Sequence, residues 1–357
     1  MVRSRYVWAI RLTSLGPVGT PKPGVPHCYR ERTVKDIGLV GATYSGKSTL
    51  FTALTHAGSH GGQATIAVVP VPDPRLQVLT DLERSKKTVA AQVRFFDVPG
   101  GMTSAQSVAK LREADALAVV VRCFGPDASP LSELAAVRGD LLLADLSVIA
   151  SALEKAVKKA RGKPGPEVDA LEAAQKALEG ETPLREAGLA PEHVAELRGI
   201  APLTLKPEIV VANLEEGTST PADLGDAVGV YAAIEAEVAE MDPAEAWALL
   251  EEFGVTEPGL ESVIAACYRA LDLITFLTTG EDETRAWEVR SGAAAPEAAG
   301  VIHTDLQRGF IRADVIPYDE LVAAGSMEAA KSAGKLRVEG KDYVVQEGDI
   351  LNVRFAV

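Results

Sequence analysis

The sequence predicts an α/β fold, and three observations carry that prediction. Apolar strand-like runs alternate with helical spacing along most of the chain, a glycine-rich turn joins the first such strand to the first such helix, and an Asp-x-x-Gly ends a later strand. The turn, Gly41-Ala42-Thr43-Tyr44-Ser45-Gly46-Lys47-Ser48, fits G-x-x-x-x-G-K-[ST] at every position. Before it, Asp36–Val40 is a buried-strand type of run; after it, Ser48–Leu54 repeats apolar residues at helical intervals. In that setting Gly41 and Gly46 let backbone N–H groups turn inward on phosphates. Lys47 bridges the outer phosphates, the Ser48 hydroxyl can ligate Mg²⁺, and the helix N-terminus adds its positive end.

Residues 1–35 differ from the rest of the chain: seven Arg or Lys stand against the single Glu31, and Pro and Gly cluster between Gly16 and Gly24. This is the composition of an extension outside the folded part, and its apolar run Tyr6–Ile10 is too short for the core of a secretory signal. His27, His56 and His60 lack companion ligands at useful spacing and read as surface residues.

Beyond the loop, Ile66–Val71 and Gln92–Val98 read as strands, the second running into Asp97-Val98-Pro99-Gly100 about fifty residues after the lysine. An Asp at the end of a strand beside a phosphate loop can serve the metal, and the Gly100 N–H can meet the γ-phosphate. Arg112–Asp115 closes a helix, and Ala116–Cys123 is the near-continuous apolar run of a parallel-sheet strand. From about Leu141, apolar residues recur at helical intervals with Glu154, Lys155, Lys158 and Lys159 between them. Gly162–Pro166 then turns the chain and Val168–Leu178 starts a returning helix, so 141–200 is expected to be a helical coiled-coil insertion. It is either a docking lever for a large partner or a structural lid.

The α/β pattern resumes in Lys206–Glu216, where an apolar strand ends in Asn213-Leu214-Glu215-Glu216. Guanine-specific phosphate-loop proteins carry Asn-Lys-x-Asp here, the Asp accepting from guanine's N1–H and 2-amino group; adenine offers no such donor pair. Leu214 in the lysine position and the longer Glu216 weaken guanine selection and favour adenine. Residues 271–357 suggest a small mixed domain, with strand-like Trp287–Val289 and Tyr343–Val345 and turn-forming Gly340 and Gly348. There Arg308, Arg312, Lys331, Lys335, Arg337 and Lys341 could line one basic face, with Phe310 and Tyr343 read as core residues before base-stacking ones.

Composition sets the remaining bounds. The 357 residues are 47% hydrophobic, enough for two or three domains; no apolar run approaches the ~20 residues of a membrane span, which predicts a soluble, membrane-free protein, and the sparse, unpaired cysteine usage fits a reducing cytoplasm. Cys28, Cys123 and Cys267 have neither disulfide-framework nor zinc-site spacing. The net charge of −14 argues against free DNA as a partner.

The chain from Lys35 onward resembles the YchF, or Obg-like ATPase, family of translation-factor-related P-loop NTPases. The resemblance is carried by Val69–Leu76, Val120–Phe124, Leu143–Leu146, Lys206–Glu216, Leu273–Phe276, Arg285–Trp287, Val301–Asp305, Arg308–Ala313 and Arg337–Asp349, which succeed one another in the family's order. It implies an Obg-related nucleotide domain interrupted by a coiled-coil arm and followed by a β-grasp TGS domain, with ATP preferred over GTP and with the ribosome or a ribosomal subunit as partner. The organisation expected is an extension over 1–35, a P-loop NTPase domain over 36–140 and 201–270, the arm over 141–200, and the TGS-like domain over 271–357. Nucleotide contacts are expected at Gly41, Tyr44, Ser45, Gly46, Lys47, Ser48, Thr49, Gly100, Asn213, Leu214 and Glu216, and Mg²⁺ contacts at Ser48, Thr65 and Asp97.

Two departures from the family bear on activity. Only ten residues, Gly101–Lys110, separate Gly100 from Leu111, about eight fewer than the family's second-switch loop by comparison, and the stretch from Asp97 to Asp115 holds no His and a single Gln, Gln106, as a side chain of the type that orients a water. The first switch is also short, Thr65 being the only threonine in Gly58–Val68. The expected activity is therefore slow ATP hydrolysis with no catalytic residue assigned. A nucleotide-gated binding protein with little hydrolysis is the alternative, and a GTP-specific GTPase, disfavoured by Leu214, is a further one.

Overall fold

The computed structural model describes residues 34–55, 65–98, 104–163, 165–239, 241–253, 255 and 259–356. The expected extension over 1–35 lies almost entirely outside them. Strand β1 (Lys35–Gly41) runs through the glycine-rich loop into helix α1 (Lys47–Thr55); β2 (Thr65–Pro70), α2 (Pro74–Glu83), β3 (Thr88–Val89) and β4 (Gln92–Asp97) come next. Helix α3 (Ala105–Leu111) leads to β5 (Ala116–Cys123) and then to three helices, α4 (Pro130–Ala160), α5 (Pro166–Glu179) and α6 (Pro191–Leu197). After them stand β6 (Glu208–Leu214), β7 (Val228–Val230), α7 (Ala232–Val238), α8 (Pro243–Glu252) and α9 (Gly259–Ala270). The last stretch holds β8 (Leu273–Thr278), β9 (Thr284–Arg290), α10 (Ala295–Ile302), α11 (Thr304–Arg308), β10 (Phe310–Pro317), α12 (Tyr318–Ala324), α13 (Met327–Ser332), β11 (Arg337–Glu339) and β12 (Asp349–Phe355). Several helices open on proline, whose fixed φ suits the first turn; at α2, Asp73 also caps Arg75 N at 3.0 Å.

The chain divides into two compact units. In the larger, comprising the described residues up to 69 together with 93–271, the sheet order is β2-β4-β1-β5-β6-β7, with β1 parallel to β4 and β5, β5 to β6, and β6 to β7. Parallel strands are covered on both faces, which accounts for the unbroken apolar runs: every residue of Ala116–Val121 is at most 1% exposed. This arrangement brings Gly41, Asp97, Leu214 and Val230 to one edge of the sheet, the carboxyl edge where α/β folds place their ligands.

The helix that carries the arm begins earlier than its periodicity suggests. Helix α4 is continuous over 31 residues, so position 141 marks no break in the backbone. Its first half, with Leu134, Val137 and Leu141, packs into the core under the sheet beside Leu111 and Val119. Its second half, with Ile149 and Ala156, packs with Leu171 and Leu178 of α5 and with Val194 and Leu197 of α6. The insertion is thus a three-helix layer, with α6 added to the expected hairpin. Asp145 lies at the transition, fully buried, accepting from Arg112 Nη1 (2.7 Å), Leu203 N (3.0 Å), Thr204 N (2.7 Å) and Thr204 Oγ1 (2.8 Å). Lys206 closes the turn after α3, its ammonium donating to the carbonyls of Arg112 (3.0 Å) and Ala114 (2.5 Å).

The smaller unit contains 272–356 and also 70–92, a segment expected in the nucleotide domain. Its sheet order is β11-β10-β12-β8-β9-β3, with β8 and β9 antiparallel, β12 parallel to β8, and β10 antiparallel to both β12 and β11. First and last strands side by side and parallel at the centre, with α10 laid across one face through Ala295, Ala298 and Ala299, is a β-grasp arrangement. β3 adds to the edge, Thr88 and Val89 pairing with Thr284 and Arg285. Arg75 fastens α2, its Nη2 lying 2.7 Å from both Asp73 and Glu347, while Ser85 Oγ bonds Gly280 O and Thr284 Oγ1 at 2.7 Å. Phe310 is core; Tyr343 is half-buried with its hydroxyl on Asp349 (2.7 Å) and Arg337 lying over its ring. Arg312 sits directly across from Arg354, which pairs with the buried Asp314.

Candidate nucleotide site

The glycine-rich loop is shaped by close approaches. A Cβ on Gly41 would stand 2.6 Å from the Val120 carbonyl oxygen, and Gly46, at φ +85°, would place one 2.0 Å from Asn213 Nδ2. Only glycine fits either place. Between them Tyr44 takes a left-handed φ of 65°, uncommon for a bulky residue, and is 86% exposed. Ser45 is buried, and its hydroxyl has no hydrogen-bond partner among the described residues. Helix α1 begins at Lys47, with the Gly46 carbonyl accepting from Leu50 N at 2.9 Å. Thr49 is exposed in its first turn.

Asp97 is the last residue of β4, held in register opposite Leu39 of β1 and almost fully buried. Its two oxygens take the two functional groups of the loop: Oδ1 lies 2.5 Å from Lys47 Nζ and Oδ2 accepts from Ser48 Oγ at 2.8 Å. The hydroxyl and the carboxylate supply hard oxygen donors at one point, the donor type that suits Mg²⁺ completed by phosphate oxygens and water. Thr65 is the first residue of β2; its side chain, like Gly100 and the rest of 99–103, lies outside the described residues.

At the end of β6, Asn213 lies beneath the loop. Its Nδ2 donates to the Ser45 carbonyl (3.1 Å) and its Oδ1 accepts from Ala232 N (3.3 Å). Leu214 is buried in the core under the sheet, against Gly229 of β7, and Glu216 is exposed in the turn after it. Sequence reasoning missed Glu215, which accepts from Gly125 N at 3.2 Å, and the β7–α7 turn, where the Tyr231 hydroxyl donates to Thr218 O at 2.5 Å. A three-residue strand and a backbone N–H leave no side-chain pattern by which that turn could have been found. Beneath it Glu235 accepts from Tyr231 N (3.1 Å) and Leu260 N (3.0 Å), and burial raises its pKa above the ordinary carboxylate value. Burial also pushes the Cys123 thiol, at the end of β5, up to about 11, so it remains protonated and unreactive near neutral pH.

Known proteins resemble this chain in sequence and fold. A family model described as 50S ribosome-binding GTPase matches residues 36–150, and the model YchF-GTPase_C, described as a protein of unknown function (DUF933), matches 273–356. The "Ribosome-binding ATPase YchF" of Haemophilus influenzae is 38% identical over 358 residues, covering 90% of this chain and 99% of the relative. The chain belongs to the YchF family. The protein of the same description from Bacillus subtilis is 36% identical over the same shares of both chains. Among solved structures, the Schizosaccharomyces pombe YchF GTPase matches with a TM-score of 0.79 and 28% identity, covering 91% of this chain and 99% of that one. Membership of the YchF family places the larger unit among P-loop NTPase domains and supports nucleotide hydrolysis in general terms. Among the described residues, no helix is long and apolar enough to cross a membrane.

Proposed function

We propose that this YchF-family chain is an ATP-preferring, Mg²⁺-dependent NTPase that works in the cytoplasm as a nucleotide-dependent switch on the ribosome or a ribosomal subunit. The observation that carries the reading is the meeting of Lys47, Ser48 and Asp97 at the mouth of a loop whose two glycines admit no side chain. Lys47 and the Gly41–Thr49 backbone hold the phosphates, Ser48, Asp97 and Thr65 serve the metal, and Gly100 meets the γ-phosphate. Bound Mg²⁺ would neutralise charge on the phosphates. Asn213, Leu214 and Glu216 form the base end, and 271–357 serves as the TGS domain. The ribosome enters through the relatives, whose description includes ribosome binding.

Base preference is tested by competition. A Leu in place of the lysine and a Glu in place of the aspartate remove the pairing that selects guanine, so ATP should displace bound GTP at equal concentration. Equal occupancy, or GTP displacing ATP, would sink the adenine assignment.

Turnover should be slow. With ten residues between Gly100 and Leu111, and the single glutamine among them, Gln106, exposed in the first turn of α3, unassisted phosphate release is expected below about one per minute, in the range where unassisted small GTPases already run at ~10⁻⁴–10⁻³ s⁻¹. Adding ribosomes should raise the rate by orders of magnitude if they supply the missing group, as an arginine finger does. The same short switch favours a second reading, a nucleotide-gated binding protein with little hydrolysis, in which ribosomes change nucleotide affinity and leave turnover negligible. An unassisted rate on the order of 1 s⁻¹ would defeat both.

A further inference from the structure

The geometry at Asp97 points to a second role for this carboxylate: it holds Lys47 against metal-free nucleotide and so makes the loop selective for the metal–nucleotide complex. The inference rests on the nucleotide-binding reading of the loop. Phosphate and metal need different groups of the loop, the Lys47 ammonium and the Ser48 hydroxyl, and Asp97 engages both. The pair is shielded from solvent, with side-chain exposures of 11% for Lys47 and 5% for Asp97, so water screens it weakly. Among the described residues, no other donor reaches Asp97 and no other acceptor reaches Lys47.

The consequence depends on what arrives. Nucleotide without metal must draw Lys47 away from Asp97, leaving a buried carboxylate with one hydroxyl donor and facing the negative phosphates. Breaking one side of a buried pair is strongly unfavourable, and the like charges add to it. Nucleotide arriving with a divalent cation meets neither obstacle, because the cation takes over the carboxylate as the phosphates take over the ammonium. Partners are exchanged and none is lost. Asp97 is therefore a determinant of which form of the nucleotide binds, as well as a group that serves the metal.

The two roles predict opposite signs for one substitution. ATP binding is measured calorimetrically in EDTA and in Mg²⁺ for the parent, Asp97→Asn and Ser48→Ala. Asp97→Asn should bind ATP in EDTA at least about fivefold more tightly than the parent, and the tightening conferred by Mg²⁺ should shrink by about tenfold or more. Ser48→Ala, which leaves the Lys47–Asp97 ion pair in place, should lose the Mg²⁺ effect without the tightening in EDTA that the Asp97 variants show. Asp97→Ala must move in the same direction as Asp97→Asn, and cooperative melting of each variant establishes that it is folded. If the two Asp97 variants bind ATP in EDTA no better than the parent, the inference falls while the nucleotide reading stands. If the parent binds ATP in neither buffer, both fall.

Discussion

Asp145→Ala should destabilise the larger unit by about 3–5 kcal/mol, the range for removing one partner of a buried charge pair. In a domain of this size that lowers the melting temperature by on the order of 10 °C. The size of the effect reflects what the carboxylate holds. Asp145 is fully buried and receives Arg112 together with the backbone N–H groups of Leu203 and Thr204 and the Thr204 hydroxyl. With alanine there, two backbone donors lose their acceptor at once, and a guanidinium that is only 13% exposed loses its counter-charge and keeps only the carbonyls of Ala144 and Ala201. These contacts tie the middle of α4 to the end of α3 and to the chain entering β6, so the loss is spread over three elements. Asp145→Asn keeps the volume but turns donors toward donors, and should recover only part of the stability. A melting temperature within 2–3 °C of the parent, about 1 kcal/mol, would show that the network is incidental.

Lys47→Ala should weaken ATP binding at least tenfold, since a charge-assisted contact to the outer phosphates is worth about 1.5–3 kcal/mol. The substitution also leaves the buried Asp97 without its cation beside the place the phosphates occupy, which adds to the loss in the absence of metal. Titration calorimetry with ATP reads the result directly. Binding equal to that of the parent would remove the phosphate loop from the site.

Much of this site was legible because its chemistry is local. A loop that must let backbone N–H groups face phosphates needs glycine at fixed offsets, and Gly41 and Gly46 stand where a Cβ would strike Val120 or Asn213. Asp97 could be read from the strand it terminates, and Asn213 likewise. What stayed hidden depends on distant parts of the chain or on groups without a side-chain signature. The start of α4 lies before Leu141, where the helical spacing of apolar residues becomes evident; in the fold the helix runs on through Gly139, where a Cβ would meet nothing within 4 Å. Ala232 meets Asn213 through its backbone N–H, which every residue type but proline provides. The alliance of 70–92 with the carboxyl-terminal sheet rests on a two-residue strand and on bonds such as Ser85 to Thr284, across nearly two hundred positions. No pattern within a short window contains such a pairing.

The displaced segment 70–92 also bears on heredity. A module whose parts are contiguous can be copied, moved or fused to another protein as one piece of coding sequence. The carboxyl-terminal unit here cannot, because its outermost strand and the helix bearing Arg75 are encoded between β2 and β4 of the phosphate-loop unit. A gene segment starting at codon 271 would carry Glu347 without Arg75 and Thr284 without Ser85, and the β9 edge would be open where Thr88 and Val89 now pair. No single cut in the coding sequence separates the two units.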